Sequence, residues 1–360
     1  MERLFFGRNC PQEIPAFAAG NANARGALSL YFRIMIFSRE FWGRRGAANV
    51  LLLPLAAAFA GGAALRRVLY ARGVLQSRAA GVPVVVVGNI VAGGGGKTPL
   101  VIALVQELQR RGFNPGVATR GTGGDFSGVL HIDDATSWRR CGDEPLLIFR
   151  RTGAPVCAAK KRVLAARALA ENGCDIVVCD DGLQHYALRR DLEICAVNAA
   201  FGLGNGWPLP AGPLREGARR MESCGWIVAS GAGGFAHPKA VCAKLRCDGF
   251  YALGDMRTAK TAADFAGKRI AALAGIAAPR RFFDSLRAEG IAAAAAHPLP
   301  DHGRMDDRRL AALPADIVMM TEKDAVKYSP ADPRLHCMRV SAVLPPPLAD
   351  AACRLAAFAK

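Results

Sequence analysis

Four consecutive glycines, Gly93, Gly94, Gly95 and Gly96, stand directly before Lys97 and Thr98. No other run in the chain is better suited to chemistry. Glycines let successive backbone N–H groups turn inward around an anion, and a helix starting just after them adds the positive end of its dipole. A lysine at that point reaches the β- and γ-phosphates of a nucleotide, and the next hydroxyl supplies a ligand to Mg²⁺. The run therefore reads as an ATP phosphate loop, with Lys97 on the phosphates and Thr98 on the metal. The strict pattern G-x-x-x-x-G-K-[ST] is broken at its first position, which is Val91. The plainer alternative is a glycine hinge with a solvated lysine. A phosphate loop needs a second acid for its metal, and the apolar segment Ile176-Val177-Val178-Cys179 ends on Asp180 and Asp181. In open α/β sheets ligands bind at the carboxyl ends of strands, so both acids should face the Lys97 loop, with Asp180 meeting Mg²⁺. Capping a helix is the ordinary role for either aspartate alone.

These groups need a frame. VPVVVVGNI (82–90) is a continuous β-branched run, as in a strand buried on both faces. After the glycines, TPLVIALVQELQRRG reads as a helix stopped at Gly112. Strand, loop and helix then recur through GVAT, PVCA, KKRVLAARALAENG, CDIVVCDDG, LEICAVNA and WIVASG. A second series follows: KRIAALAGI, the helix PRRFFDSLRAEG, the strands IAAAAA, DIVMMTEKD and HCMRVSAVL, and a closing helix from about PPLADAACRLAAFAK. The fold class is α/β: a P-loop NTPase-like doubly wound sheet domain, a second smaller α/β domain and an N-terminal membrane-associated helix. The expected division is 1–34 as an extra segment matching no element, with Met35 as an alternative start. Residues 35–81 are the membrane-associated helix region, 82–230 the P-loop domain, and 231–360 the second domain completing the cleft.

Charge and composition narrow the partners. The 360 residues carry a net charge of +17, and an apolar fraction of 51% beside an ordinary 21% of charged residues excludes a mainly disordered chain. Such a balance asks for an anionic partner. Eleven scattered cysteines with no C-x-x-C pair argue against a zinc site or disulfide framework. Residues 46–65 are uncharged, with Arg44 and Arg45 before them and Arg66 and Arg67 after. As one helix of ~30 Å they match a bilayer core in length, but Pro54, Gly61 and Gly62 dilute the hydrophobicity. The favoured reading is a helix in the membrane interface with its arginines on anionic headgroups; a buried helix and a full span are the alternatives. Nucleic acid is excluded as partner, since aromatic content is 7% and no base-stacking motif occurs. No protein partner is inferred.

Further segments name a family. VVGNIVAGGGGKTP (86–99), RGTGG (120–124), GDEPLL (142–147), DDGLQH (180–185), RRDLEI (189–194) and GNGWPLPAGPLRE (204–216) resemble tetraacyldisaccharide 4′-kinases. AGIAAPRRFF (274–283), PDHGRMD (300–306) and TEKDAVK (321–327) carry the resemblance over about residues 40–358. The resemblance implies ATP-dependent phosphorylation of the 4′-hydroxyl of a tetraacyldisaccharide 1-phosphate, giving lipid IVA in lipid A biosynthesis. It also implies two α/β/α domains, nucleotide near their cleft, and an N-terminal segment on the cytoplasmic face of the bacterial inner membrane. The aspartate of GDEP and the histidine of PDH form a base pair in the family, which places that role on Asp143 and His302. The PLRE arginine, Arg215, is implied in contact with substrate phosphate.

Asp181, His185 and Arg120 are further candidates for the substrate side. His185 also competes as the base, its ordinary role being a hydrogen bond to the strand-end carboxylates. The lone histidines His131, His237, His297 and His336 read as surface residues. The chain departs from the family pattern at Val91 and Gly95, where hydroxyl residues are usual, and at Thr122, where tyrosine is usual. A GGxGKT-type ATPase switch bound to membrane or DNA is the alternative function. That class carries a lysine where this chain has Ala92.

Overall fold

The computed structural model describes residues 39–357; the segment 1–34 and Met35 lie outside them. Three helices lead in: α1 (Arg39–Trp42), α2 (Ala47–Leu51) and α3 (Leu53–Ala71). The run 46–65, expected as one helix, is two. Pro54 has no N–H to bond the preceding turn, so it sits in the first turn of a new helix instead of inside an old one. The second helix then continues past the run to Ala71, and of its 19 residues only Ala56 is buried. Val50, Leu51, Leu55, Phe59, Leu65 and Val68 all stand exposed. No helix among the described residues is long and apolar enough to cross a membrane.

The body is built around one sheet of 13 strands. Its first half contains β1 (Val84–Gly88), α4 (Lys97–Arg110), β2 (Pro115–Thr119), β3 (Val129–Ile132), α5 (Trp138–Cys141), α6 (Asp143–Thr152), β4 (Val156–Ala159), α7 (Arg162–Glu171), β5 (Ile176–Asp180), β6 (Leu192–Asn198) and β7 (Trp226–Ser230). The rest is β8 (Ala240–Ala252), β9 (Asp255–Lys260), β10 (Ile270–Ala274), α8 (Pro279–Ala288), β11 (Ala295–Pro298), α9 (Asp307–Ala311), β12 (Ile317–Thr321), α10 (Glu322–Ala325), β13 (Leu335–Val343) and α11 (Pro346–Ala357). Strands lie in the order β11-β10-β12-β13-β8-β7-β6-β1-β5-β2-β4-β3, with β9 on β8.

The β-branched runs behave as their composition demands. All five residues of β1 are buried. Val85 and Val87 enter the core under α4, and Val84 and Val86 enter the core on the opposite face. In the second half, Ala272 and Ala274 pack under Phe282 and Leu286 of α8, while Leu273, Val318 and Met320 pack with Leu310 of α9.

The join between the halves is a single strand. The start of β8 pairs in parallel with β7, from Ile227↔Ala240 to Ser230↔Ala243. Its remainder pairs antiparallel with β13, from Lys244↔Val343 to Ala252↔His336. The segment 231–267 thus holds the strand that both halves share. The last helix returns across this join: Leu348, Ala352 and Ala356 of α11 share a core with Leu104, Val105 and Leu108 of α4.

Further expectations need correction, among them the end of the strand DIVMMTEKD, which stops at Thr321 and gives way to α10. The strand expected over 291–296 begins at Ala295 and pairs as an edge with β10, starting at Ala271↔Ala295. A pure alanine run has no alternation to set register, so the neighbouring strand decides it. His336, expected on the surface, is buried in β13, with its ring edge-on to Phe265 and its Nε2 3.2 Å from Lys260 Nζ. The residues of β3, α5, α6, β8 and β9 gave no sequence pattern that was read as an element.

Since Leu348 is fully buried against α4, Leu348→Ala should destabilise the fold by ~2–5 kcal/mol, the usual loss for a buried leucine. Urea unfolding measures it, and a loss under ~1 kcal/mol would place α11 outside the core.

Candidate active site

Adjacent strands deliver the first groups. β1 and β5 pair in register at Val87↔Asp180, so the glycine loop and the two aspartates leave the sheet side by side. Gly96 caps α4 at φ 75°, a left-handed conformation that an L side chain resists, and a Cβ there would overlap Ser230 Oγ. At Gly95 a Cβ would overlap the Asn89 amide nitrogen, which donates to the Gly93 carbonyl. Asn89 therefore takes the space that a side chain at 95 would need. Two arginines that sequence reasoning missed converge on this loop. Arg39 donates from Nη2 to the Gly94 carbonyl at 2.6 Å, with its guanidinium over Phe201. Arg281, from α8, has Nη2 only 2.6 Å from where a Cβ on Gly231 would stand. Burial and then the like charge of Arg281 lower the Arg39 pKa. No local sequence signal marks either residue as a loop neighbour, because both arrive from distant elements.

Asp180 and Asp181 have opposite environments. Lys97 Nζ lies 3.0 Å from Asp181 Oδ1, and Arg215 Nη1 lies 3.0 Å from both Asp181 oxygens. Burial alone would raise this carboxyl, but Lys97 and Arg215 hold it far below the usual carboxylate range. Its backbone is left-handed, φ 49°, and its carbonyl accepts from Arg162. Asp180 is buried, and burial followed by the charge of Glu144 pushes its pKa up. Its Oδ1 has no hydrogen-bond partner. An orphaned, desolvated carboxylate oxygen beside a phosphate loop is a fitting ligand for a divalent cation. Among the described residues no three His, Cys, Asp or Glu side chains cluster to hold a metal without other ligands. A cation at Asp180 would take its remaining oxygens from Thr98, water and phosphate.

The third group spans the join. Asp143 opens α6, and His302 lies in the turn after β11 at φ 61°. His302 Nδ1 is 3.0 and 2.9 Å from the two Asp143 oxygens. Lys327 Nζ stands 3.4 Å from Asp143 Oδ2, and Lys323 bonds Glu144 at 3.0 Å. Burial opposes ionisation of Asp143, yet the His302 bond and the nearby lysines leave its pKa below the usual value. The same bond raises His302 above an ordinary histidine, against burial. Both shifts describe one ion pair between residues from opposite halves of the sheet.

His185 stands apart from these groups. Its Nε2 is buried with no partner, so the expected hydrogen bond to the strand-end carboxylates is not made. Burial, then Arg162, Arg190, Arg66 and Arg120, lower its pKa to about 4, which leaves the ring neutral. Arg120 is exposed and makes no ion pair among the described residues. Buried Glu216, beside Arg215, was also missed; it accepts from Tyr186 Oη and from Gln184 Nε2. The same 204–216 loop holds the leading helices. Asn205 accepts from Arg45 and donates to the Trp42 and Arg44 carbonyls.

Comparisons with known proteins show the family. The family described as tetraacyldisaccharide-1-P 4′-kinase matches residues 48–355. The chain belongs to this family. A tetraacyldisaccharide 4′-kinase of Azoarcus sp. (strain BH72) is 44% identical over 318 residues, covering 87% of this chain and 91% of the relative. One from Xanthomonas campestris pv. campestris (strain 8004) is 47% identical over 302 residues, covering 78% and 85%. The fold matches the crystal structure of the "apo" form of LpxK from Aquifex aeolicus in complex with ATP, with TM-score 0.74 and 24% identity, over 86% of this chain and 99% of that one. Lys97, Thr98, Asp143, Asp180 and His302 all fall within the residues matched by the tetraacyldisaccharide-1-P 4′-kinase family.

The raised pKa of His302 has a direct readout. Its ring should titrate above the ordinary value of 6.5, and Asp143→Asn should bring it down by weakening the charge-assisted bond. Histidine NMR resonances followed against pH measure this. A midpoint below 6.5 in the unmutated protein contradicts the ion pair.

Proposed function

We propose that this protein transfers the γ-phosphoryl group of ATP to the 4′-hydroxyl of a tetraacyldisaccharide 1-phosphate, using Asp143 and His302 as one base. The observation that carries the reading is the Asp143–His302 ion pair, supplied from two halves of a sheet whose glycine loop and strand-end acids lie at the same carboxyl edge. The sugar oxygen bonds to the γ-phosphorus, the bond from that phosphorus to the β–γ bridging oxygen breaks, and the hydroxyl proton passes to the pair. A lone carboxylate near pKa ~4 is a weak base, and a hydrogen-bonded histidine shares the proton.

Lys97 is the cation for the β- and γ-phosphates, with the loop N–H groups and the start of α4 around them. Its charge is paired with Asp181, and phosphate competes for the same ammonium. Thr98 and Asp180 are the residues to hold Mg²⁺, which when bound neutralises charge developing on the transferred phosphoryl group. Arg215, Asp181, Arg120 and His185 are the residues assigned to the anionic disaccharide.

The test is phosphorylation of a tetraacyldisaccharide 1-phosphate in detergent with γ-labelled ATP. Asp143→Ala and His302→Ala should each lower kcat by ~10²–10⁴. Because residues acting as one unit are non-additive, the double variant should be scarcely worse than the poorer single one. Multiplying losses would mean two independent roles.

The acceptor carries acyl chains, so the same reading includes an anionic membrane surface at the cytoplasmic face of the bacterial inner membrane. Exposed Leu51, Leu55 and Phe59 lie on the helices flanked by Arg44, Arg45, Arg66 and Arg67. Arg66 also donates to the Gln184 carbonyl, which sets the far end of α3 over the DGLQH turn. Co-sedimentation with vesicles containing phosphatidylglycerol should be lost in a Leu51→Glu, Leu55→Glu, Phe59→Glu variant. High salt should weaken it in the unmutated protein, since exposed charges are screened within ~8–10 Å. Undiminished binding by the variant would move the contact elsewhere on the protein.

A further inference from the structure

The end of TEKDAVK places a lysine where no solvent reaches. The Lys327 side chain is 0% exposed, and its ammonium faces three acceptors: Asp324 Oδ1 at 2.9 Å, the Gly303 carbonyl at 3.0 Å and Asp143 Oδ2 at 3.4 Å. The ammonium donates hydrogen bonds to Asp324 and Gly303 and is ion-paired with Asp143. Two of those oxygens belong to the base: Gly303 follows His302 in the chain, and Asp143 is the carboxylate that His302 bonds. The third, Asp324, is itself fixed. Its other oxygen accepts from the Gly275 amide and from Thr321 Oγ1, while the Gly275 carbonyl accepts from the His302 amide. Lys327 therefore sits inside a closed set of bonds joining the end of β10, the His302 turn and the start of α6.

Burying an ammonium is unfavourable compared with an apolar side chain of similar volume. What a lysine adds at this place is its charge. We propose that Lys327 is a positioning residue that sets the proton affinity of the Asp143–His302 pair and fixes the His302 turn against α6. The charged and titratable groups facing the pair are Glu144 and Cys141 beside Asp143, Asp301 beside His302, and Lys323, Asp324 and Lys327 from α10 and the turn after it. Lys323 bonds Glu144, lies near Asp301 and also acts on Asp143 and His302, while Lys327 is the cation with no solvent exposure against Asp143. A positive charge there favours the deprotonated pair and makes the proton-accepting form available at lower pH.

This inference rests on the proposed role of the pair as base, so His302→Ala is measured with the other variants. Each folded protein is assayed for kcat and KM against pH with ATP and the detergent-solubilised disaccharide. Lys327→Met should move the acid limb of kcat up by ~1 pH unit and lower kcat at neutral pH, with both KM values changed less than about threefold. Lys327→Arg, which keeps the charge, should return the limb toward its original position. Asp324→Asn removes a negative charge from the same cluster and should move the limb the other way, to lower pH. If Lys327→Met loses kcat while the limb stays put, Lys327 is only structural support and the inference is overturned. If that variant does not fold, Asp324→Asn decides, and an unmoved or raised limb overturns the inference. An acid limb that survives in His302→Ala removes the base assignment and this inference with it. A limb lost in His302→Ala but unmoved by the other variants overturns this inference alone.

Discussion

One strand makes the active site possible. β8 runs parallel to β7 over its first residues and antiparallel to β13 over the rest, so two sheets with separate cores become one. Backbone hydrogen bonds do not slide by fractions of a residue, because any slip moves every side chain to the wrong face. The register of β8 thus fixes where the carboxyl ends of β10 and β12 stand relative to those of β1 and β5. Asp143 on one side and His302 on the other can come within 3.0 Å only under that constraint. α11 adds a second tie, since the end of the chain packs into the core of the first half.

Charge around the glycine loop is dominated by cations that crowd one another. Lys97 and Arg215 share Asp181, and Arg39 and Arg281 face each other as like charges. Asp180 shows the complementary condition, a buried carboxylate with an orphaned oxygen. These surroundings suit an anion beside the arginines and lysine and a cation beside Asp180. The Asp143–His302–Lys327 cluster is different in kind, because its charges are already paired and enclosed. The two groups of charges are thereby kept on separate electrostatic footings.

The leading helices are connected to this chemistry through one loop. Residues 204–216 hold Trp42, Arg44 and Arg45 through Asn205, and the same loop ends in Arg215 on Asp181 and Glu216 under Tyr186. Arg39 reaches the glycine loop itself. An apolar, arginine-flanked surface is thus a few bonds away from the acids at the end of β5. That proximity suits an acceptor whose acyl chains and sugar hydroxyl must be handled together.

Strong local patterns were legible from the residues alone. The β-branched run before Gly93, the lysine and threonine after Gly96, and the apolar strand ending on Asp180 fall where their composition placed them, because strand burial and loop chemistry are properties of neighbouring residues. Asp143 and His302 could be singled out only through resemblance to a family, since an isolated acid and an isolated histidine 159 residues apart carry no local signal. The alanine run at 291–296 and the break at Pro54 were misread for the opposite reason: composition alone underdetermined register and helix ends there. Arg39, Arg281, Glu216 and Lys327 became part of the site only in three dimensions. Each is brought in by packing between elements far apart in the chain, where β8 register, helix docking and the satisfaction of buried charges decide which groups meet.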